Sequence, residues 1–155
     1  LWVGDDGESI EERLGVLADL QRRGLIRHIG ISNVTAGQVE EARSIAEIVC
    51  VQNLYNVANR RDDALIDDLA ARGVAYVPYF PLGGFTPLQS SALDSAAAAL
   101  GATPMQVALA WLLQRSPNIL LIPGTKSLGH LRENLSVASL RLPAETIAQL
   151  NAIGT

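Results

Sequence analysis

An α/β chain of parallel strands, the second half of a (β/α)8 TIM barrel, is the fold the sequence predicts, and three observations predict it. Short apolar runs rich in β-branched residues alternate with amphipathic segments four times along the 155 residues. Alternation of that kind gives parallel strands joined by right-handed crossovers, with helices covering the sheet. Each of the four predicted strands ends in polar or turn residues: Ser32-Asn33, Gln52-Asn53, Tyr79 with Pro81-Leu82-Gly83, and Gly124-Thr125-Lys126. Such endings suit the C-terminal face of a barrel, where its ligands bind. The length supplies the third observation. A complete barrel needs roughly 250 residues, so four units make half of one, and the two glycine-containing turns match the phosphate site after its seventh and eighth strands. A small doubly wound sheet is the other architecture that four strands allow. Either way the chain reads as one domain, residues 1–155, with no second.

Taken in order, an acidic turn is followed by Ser9-Ile10-Glu11-Glu12, a capping-box pattern in which Ser and Glu satisfy each other's orphan N–H groups. The helix it opens carries Leu14, Leu17 and Leu20 at three-residue spacing. Arg22 and Arg23 sit in its last turn, where cations suit the dipole, and Gly24 ends it. Residues 28–32 predict the first strand. Thr35 to Gln38 repeats the capping box before a helix with Val39, Ala42, Ile45 and Ala46 on one face. Residues 48–53 predict the second strand, 62–72 a helix closed by Gly73, and 74–79 the third strand. A longer loop rich in Pro, Gly, Ser and Thr leads to two helices. One spans 91–100 and is closed by Gly101; the other has Thr103 as cap, Pro104 at its first position and Gln106 in the capping-box place, and runs to Arg115. Residues 119–122 predict the fourth strand, Ser127 caps the helix after it, and residues 143–153 predict a closing helix.

Composition narrows the function. With 48% hydrophobic and 18% charged residues the chain builds an ordinary globular core. A net charge of -4 and a pI near 5.1 argue against a nucleic-acid or anionic-membrane surface. No apolar run approaches the roughly 20 residues of a membrane span, and the first residues lack the charged and apolar regions of a signal peptide. Cys50 is the one cysteine. It allows neither an internal disulfide nor a cysteine-rich metal site, which points to a reducing, cytoplasmic setting and to Cys50 as a small core residue.

Residues 119–134 carry the most chemistry. An apolar run stops at Pro123-Gly124 and feeds a helix, whose N-terminus offers unpaired N–H groups and the positive end of its dipole. Gly124 lets the backbone approach a ligand and Lys126 adds a mobile cation. That is a phosphate cradle in outline; an ordinary strand-helix turn with a solvated lysine is the alternative.

The spacing of Pro123-Gly124-Thr125-Lys126, His130 and Glu133-Asn134 resembles the last strand and helix of the aldo-keto reductases. The resemblance extends back to the Gly-Leu-Ile-Arg-His-Ile-Gly-Ile-Ser-Asn segment ending at Asn33 and forward to Leu142. It implies that Gly124, Thr125, Lys126 and His130 grip the 2′-phosphate of NADPH and that Glu133 and Asn134 hydrogen-bond the adenine. It further implies that Ser32, Asn33 and Gln52 hold the nicotinamide carboxamide. Tyr79 is then the aromatic on the nicotinamide ring, and Phe80, Pro81, Leu82, Gly83 and Gly84 belong to the turn lining the pyrophosphate. Taken singly, these residues also read as a helix cap, an interior hydrogen-bond partner, core and a plain turn.

Two departures from the family's pattern matter. Many members carry Lys where Gly124 stands and Arg where His130 stands, and Lys126 substitutes only as a point charge; NADPH is the cofactor implied, with NADH left open. The family's Asp, Tyr, Lys and His catalytic tetrad has no counterpart here, so no catalytic residue and no metal ligand is assigned. His28 lies at the start of a strand, away from the reactive face, and Tyr55 and Tyr76 have no Lys partner to lower a phenol pKa. The complete enzyme is thus implied to reduce aldehydes or ketones, with this chain as its cofactor-binding half and inactive alone. The run over residues 79–88 is most similar to bacterial short-form members, which include pyridoxal reductases. A regulatory subunit, as in the reductase-like β-subunits of potassium channels, and a half-barrel phosphate-binding protein that dimerises are the alternatives. Open sheet edges at residues 28–32 and 119–122 predict self-association.

Overall fold

The computed structural model describes residues 1–4, 8–84 and 88–153; the predicted acidic turn at residues 5–7 and part of the long loop, residues 85–87, lie outside the described residues. A parallel sheet of three strands runs in the order β1 (Ile29–Ser32), β2 (Ile48–Leu54), β3 (Ala75–Tyr79). Helix α1 (Glu11–Arg22) precedes it, α2 (Ala36–Ile45) and α3 (Asp63–Ala71) are its crossovers, and α4 (Ser91–Leu100), α5 (Pro104–Arg115), α6 (Leu128–Ser136) and α7 (Ala144–Asn151) follow.

Strand alternation sorts the sheet into two faces. Ile29, Ile31, Val51 and Tyr76 are buried and share one core with helical residues that include Leu14, Val39, Ile66, Leu69, Leu109 and Leu112. The intervening residues Gly30, Ser32, Cys50, Gln52, Val77 and Tyr79 form the other face and are only half-buried. In α5 every residue from Val107 to Leu112 is buried, which makes it the central helix of the outer layer. Among the described residues no single helix is long and apolar enough to cross a membrane.

The predicted caps on α2 and α5 form as complete boxes: Thr35 Oγ1 accepts from Gln38 N at 3.2 Å and Thr103 Oγ1 from Gln106 N at 3.2 Å, each returned at 2.9 Å. The box predicted at Ser9 and Glu12 does not form. Helix α1 starts after Ile10, one residue later than predicted, and Ile10 has no capping side chain; Ser9 Oγ accepts from Glu11 N at 3.3 Å rather than from Glu12 N and donates to Glu41 on α2, whose Oε1 also accepts from Ile10 N at 3.2 Å. Cys50 is likewise not in the helix-covered core; its sulfur lies over Gly30 on the open face, where a Cβ on that glycine would come within 2.5 Å.

The four-strand expectation is corrected to three. Residues 119–122 meet β3 through a single bridge, Tyr76 with Ile119, made by Tyr76 N donating to Asn118 O and Leu120 N donating to Tyr76 O, both at 2.9 Å. With β3 on one side and, among the described residues, no strand on the other, the ladder stops there, and Leu120 and Ile122 stay 57% and 44% exposed. At the opposite edge β1 is better covered than expected. Residues 1–3 run parallel to it, with the Leu1 amino group donating to Gly30 O at 2.7 Å, Ser32 N to Leu1 O at 2.8 Å and Val3 N to Ser32 O at 2.9 Å.

Candidate functional site

The C-terminal ends of the strands bring Ser32, Asn33, Gln52 and Tyr79 together at one end of the sheet. Ser32 and Gln52 are register partners across β1 and β2, and Tyr79 stands opposite Leu54 at the end of β3. Asn33 follows Ser32 with φ +59°, a left-handed conformation that asparagine tolerates better than most residues. Its N–H donates to Gln52 O at 2.9 Å, and its Oδ1 accepts from the Tyr79 hydroxyl at 3.0 Å. One hydrogen bond therefore ties the end of β1 to the end of β3 across the sheet.

Beyond Tyr79 the chain turns sharply. Phe80 has φ +52°, unusual for a bulky aromatic residue, and its carbonyl accepts from Gly83 N at 3.0 Å. Gly84, at φ +67°, lies so close beneath the ring that a Cβ there would come within 2.6 Å of it. The Phe80 ring also meets Tyr79 edge-on, with centroids 5.4 Å apart. Tyr79, Phe80, Pro81, Leu82 and Gly84 form one wall of a cavity of about 410 Å³, and Ile122, Pro123 and Gly124 form the other. Gly83 lines an adjoining hollow of about 530 Å³ on the far side of Phe80.

From Gly124 the backbone leads directly to α6. Ser127 caps that helix as predicted, its Oγ accepting from His130 N at 3.3 Å, while Thr125 Oγ1 accepts from Ser127 N at 3.1 Å. Thr125, Lys126, His130 and Glu133 are exposed and Asn134 is half-buried. Lys126 makes no hydrogen bond or ion pair among the described residues. His130, Glu133 and Asn134 share one helical face through their three- and four-residue spacing. Ser32 and Gln52 are half-buried and do not line the cavity.

Other candidates fall away from this end. His28 is exposed at the N-terminal side of β1. The Tyr55 hydroxyl donates to Asp63 Oδ1 at 2.5 Å, and burial, reinforced by that carboxylate, pushes its pKa up to about 12. Tyr76 donates to Asp62 Oδ2 at 2.9 Å and is driven above the ordinary phenol range, first by burial and then by Asp62. Neither is tuned to give up a proton near neutrality. A crevice of about 280 Å³ at the opposite ends of the strands holds Arg43 and Arg72, but Glu40 and Asp68 each engage Arg72 at 2.8 Å.

Two asparagines hold the site's backbone: Asn53, which the sequence groups with Gln52 on the ligand face and which instead turns into the core, and Asn56, which no sequence pattern singles out. Asn53, fully buried, accepts from Val34 N at 3.0 Å and donates to Val34 O at 2.8 Å and to Asp62 Oδ2 at 2.7 Å. Asn56, 4% exposed, donates to Phe80 O and accepts from Ala58 N, both at 3.0 Å. Period-two alternation is the signal for the first, since it turns Asn53 to the opposite face from Gln52 and into the core, where an amide must find partners.

Comparison with known proteins gives the family and the fold. The sequence model of the family described as Aldo/keto reductase family matches residues 2–155. The chain is 68% identical over 145 residues to the pyridoxine 4-dehydrogenase of Escherichia coli (strain K12), covering 94% of this chain and 51% of that protein. It is 37% identical over 145 residues to the uncharacterized oxidoreductase C215.11c of Schizosaccharomyces pombe, covering 93% and 47%. Among solved structures it superposes on the thermostable aldo-keto reductase Tm1743, in complex with the inhibitor epalrestat, with TM-score 0.86 and 35% identity over 99% of this chain and 58% of that one. The chain thus spans about half the length of the curated relatives it matches.

Proposed function

The chain belongs to the aldo/keto reductase family of oxidoreductases, and from that membership we propose that it is the cofactor-holding half of an NADPH-dependent enzyme interconverting aldehydes or ketones and alcohols. The observation that carries this reading is the cavity walled by the Tyr79 turn and by Gly124, with the unengaged Lys126 two residues further on. An elongated anionic cofactor fits that layout. A Cβ on Gly124 would meet nothing within 4 Å, so the wall is open to a close ligand approach.

When bound, the nicotinamide cofactor supplies the hydride, and the protein's share is to hold and orient it. In this reading the Tyr79 ring offers the flat apolar surface for the nicotinamide, and Ser32, Asn33 and Gln52 hold its carboxamide. Phe80, Pro81, Leu82 and Gly83 line the pyrophosphate. Gly124, Thr125, Lys126 and His130 take the 2′-phosphate, while Glu133 and Asn134 face the adenine. The likeness to a pyridoxine 4-dehydrogenase makes pyridoxine, or the aldehyde that is its oxidised counterpart, the substrate proposed for the whole protein in a cytoplasmic setting. Without a tetrad, the 155 residues bind cofactor and do not turn over.

The test is a fluorescence titration of the purified chain with NADPH, paired with an assay of NADPH oxidation against an aldehyde panel that includes pyridoxal. Saturable binding without turnover is expected. Turnover at ordinary enzyme rates, or no binding at all, would overturn the reading.

A further inference from the structure

Among the described residues, only two that are not glycine adopt a left-handed backbone, Asn33 and Phe80, and both stand at strand ends in the candidate site. Asparagine adopts this conformation at little cost; a phenylalanine does not, and such residues persist only where their surroundings over-determine them. The surroundings of Phe80 are specific. Its carbonyl receives two N–H donors, the Gly83 amide and the Asn56 side chain, each at 3.0 Å. Its ring is wedged over Gly84, where no Cβ fits. Asn56 is itself locked, since Asn56 N donates to Asn59 O, Asn59 N donates back at 3.0 Å, and Asn56 Oδ1 accepts from Ala58 N.

We propose that Asn56 is a positioning residue for the cofactor site: its side-chain amide holds Phe80 in the left-handed conformation, and so sets where Tyr79 and Phe80 stand in the cavity wall. The inference rests on the reading that this cavity takes the cofactor. Its physical basis is distinct, because Asn56 contributes nothing to the wall with Gly124 and acts from the β2 side, through the Phe80 carbonyl. Removing that donor lets Phe80 relax toward negative φ. The ring then leaves Gly84, and Tyr79 loses the edge contact that fixes its plane opposite Asn33.

The test compares three variants of the chain. Asn56→Asp keeps an acceptor for Ala58 N–H and removes the donor to Phe80. Asn56→Ser does the same without adding charge, its hydroxyl being too short to reach, and serves if the first variant folds poorly. Asn118→Asp is the control: Asn118 Nδ2 donates to Val74 O at 2.9 Å, the same kind of bond near the other end of β3. Two readouts are taken. Because the chain has two phenylalanines, labelling phenylalanine at its carbonyl carbon gives a simple spectrum in which the Phe80 resonance reports its hydrogen bonds directly. NADPH affinity is read by fluorescence. Both Asn56 variants are expected to shift the Phe80 carbonyl upfield and to weaken NADPH binding about tenfold. The control is expected to lower the melting temperature and leave both readouts unchanged. An unmoved Phe80 carbonyl, or equal NADPH losses in the Asn56 variants and the control, overturns the positioning role. Failure of the wild-type chain to bind NADPH, with the carbonyl shift present, overturns the cofactor reading while the backbone clamp stands.

Discussion

At the scale of single residues, the site separates groups that meet a ligand from groups that only hold the fold. Lys126, exposed and unengaged, is proposed for the first kind. Lys126→Ala is expected to weaken NADPH by roughly 1.5–3 kcal/mol, the worth of a charge-assisted hydrogen bond, and NADH far less, since the latter presents no 2′-phosphate. Equal losses in fluorescence titrations of both cofactors would remove Lys126 from the phosphate site. Tyr55 and Tyr76 are of the second kind, and their titration makes a separate prediction. Both phenols ionise at higher pH folded than unfolded, so the folded chain retains their protons longer. The stability Tyr55 contributes is therefore complete below the ordinary phenol pKa of about 10 and is lost as pH rises through about 12, and that of Tyr76 falls in the same direction above about 10. Melts at stepwise alkaline pH should show the melting temperature falling across that window, with a shallower fall in Tyr55→Phe; an identical slope in the variant would dissociate Tyr55 from the effect.

At the scale of elements, the two completed capping boxes and the buried stripe of α5 are where stability concentrates. Thr103→Ala should cost about 1 kcal/mol in urea unfolding, and Leu112→Ala, in a fully buried position, about 2–5 kcal/mol. Leu135→Ala on α6 should cost little, because Leu135 is 69% exposed. These helices were legible in the sequence because their caps and periodicity are local: Thr35 with Gln38, Thr103 with Gln106, Gly101 at the close of α4. What misled was non-local. Ser9 and Glu12 have the same spacing as the boxes that form, but α1 begins one residue later, and the Glu41 carboxylate on another helix accepts from both the Ser9 hydroxyl and Ile10 N. The apolar run at residues 119–122 has the composition of a strand, yet a ladder also needs neighbours, and this one has a single bridge. Conversely, residues 1–3 are too few to carry a pattern and pair with β1 all the same. In the candidate site, the turn after Tyr79 and the Ser127 cap that opens α6 were legible from motif order, whereas Asn53, placed on the wrong face, and Asn56 act through backbone atoms of distant residues that no motif displays.

At the scale of the whole molecule, three parallel strands and their helices bury one face and leave the other half-open, and the apolar residues at the sheet's margins stay uncovered. Leu120, Ile122, Leu128, Leu131 and Leu135 are each at least 44% exposed, and Leu128, Leu131 and Leu135 form one stripe along α6, which buries no residue of its own. Exposed apolar area of this kind drives association. Sedimentation of the purified chain should therefore show concentration-dependent self-association, reduced when the three α6 leucines are replaced by glutamine; a monodisperse wild-type monomer with a sharp melt would show that the exposed stripe has no such consequence. Amide chemical-shift mapping with NADPH tests most directly whether the strand ends from Ser32 through Gly124 and the start of α6 form one cofactor site. Shifts concentrated at Ser32, Asn33 and Gln52, at residues 79–84, and from Gly124 to Asn134 are the result predicted. Shifts confined to the Arg43 and Arg72 crevice at the opposite ends of the strands would contradict it.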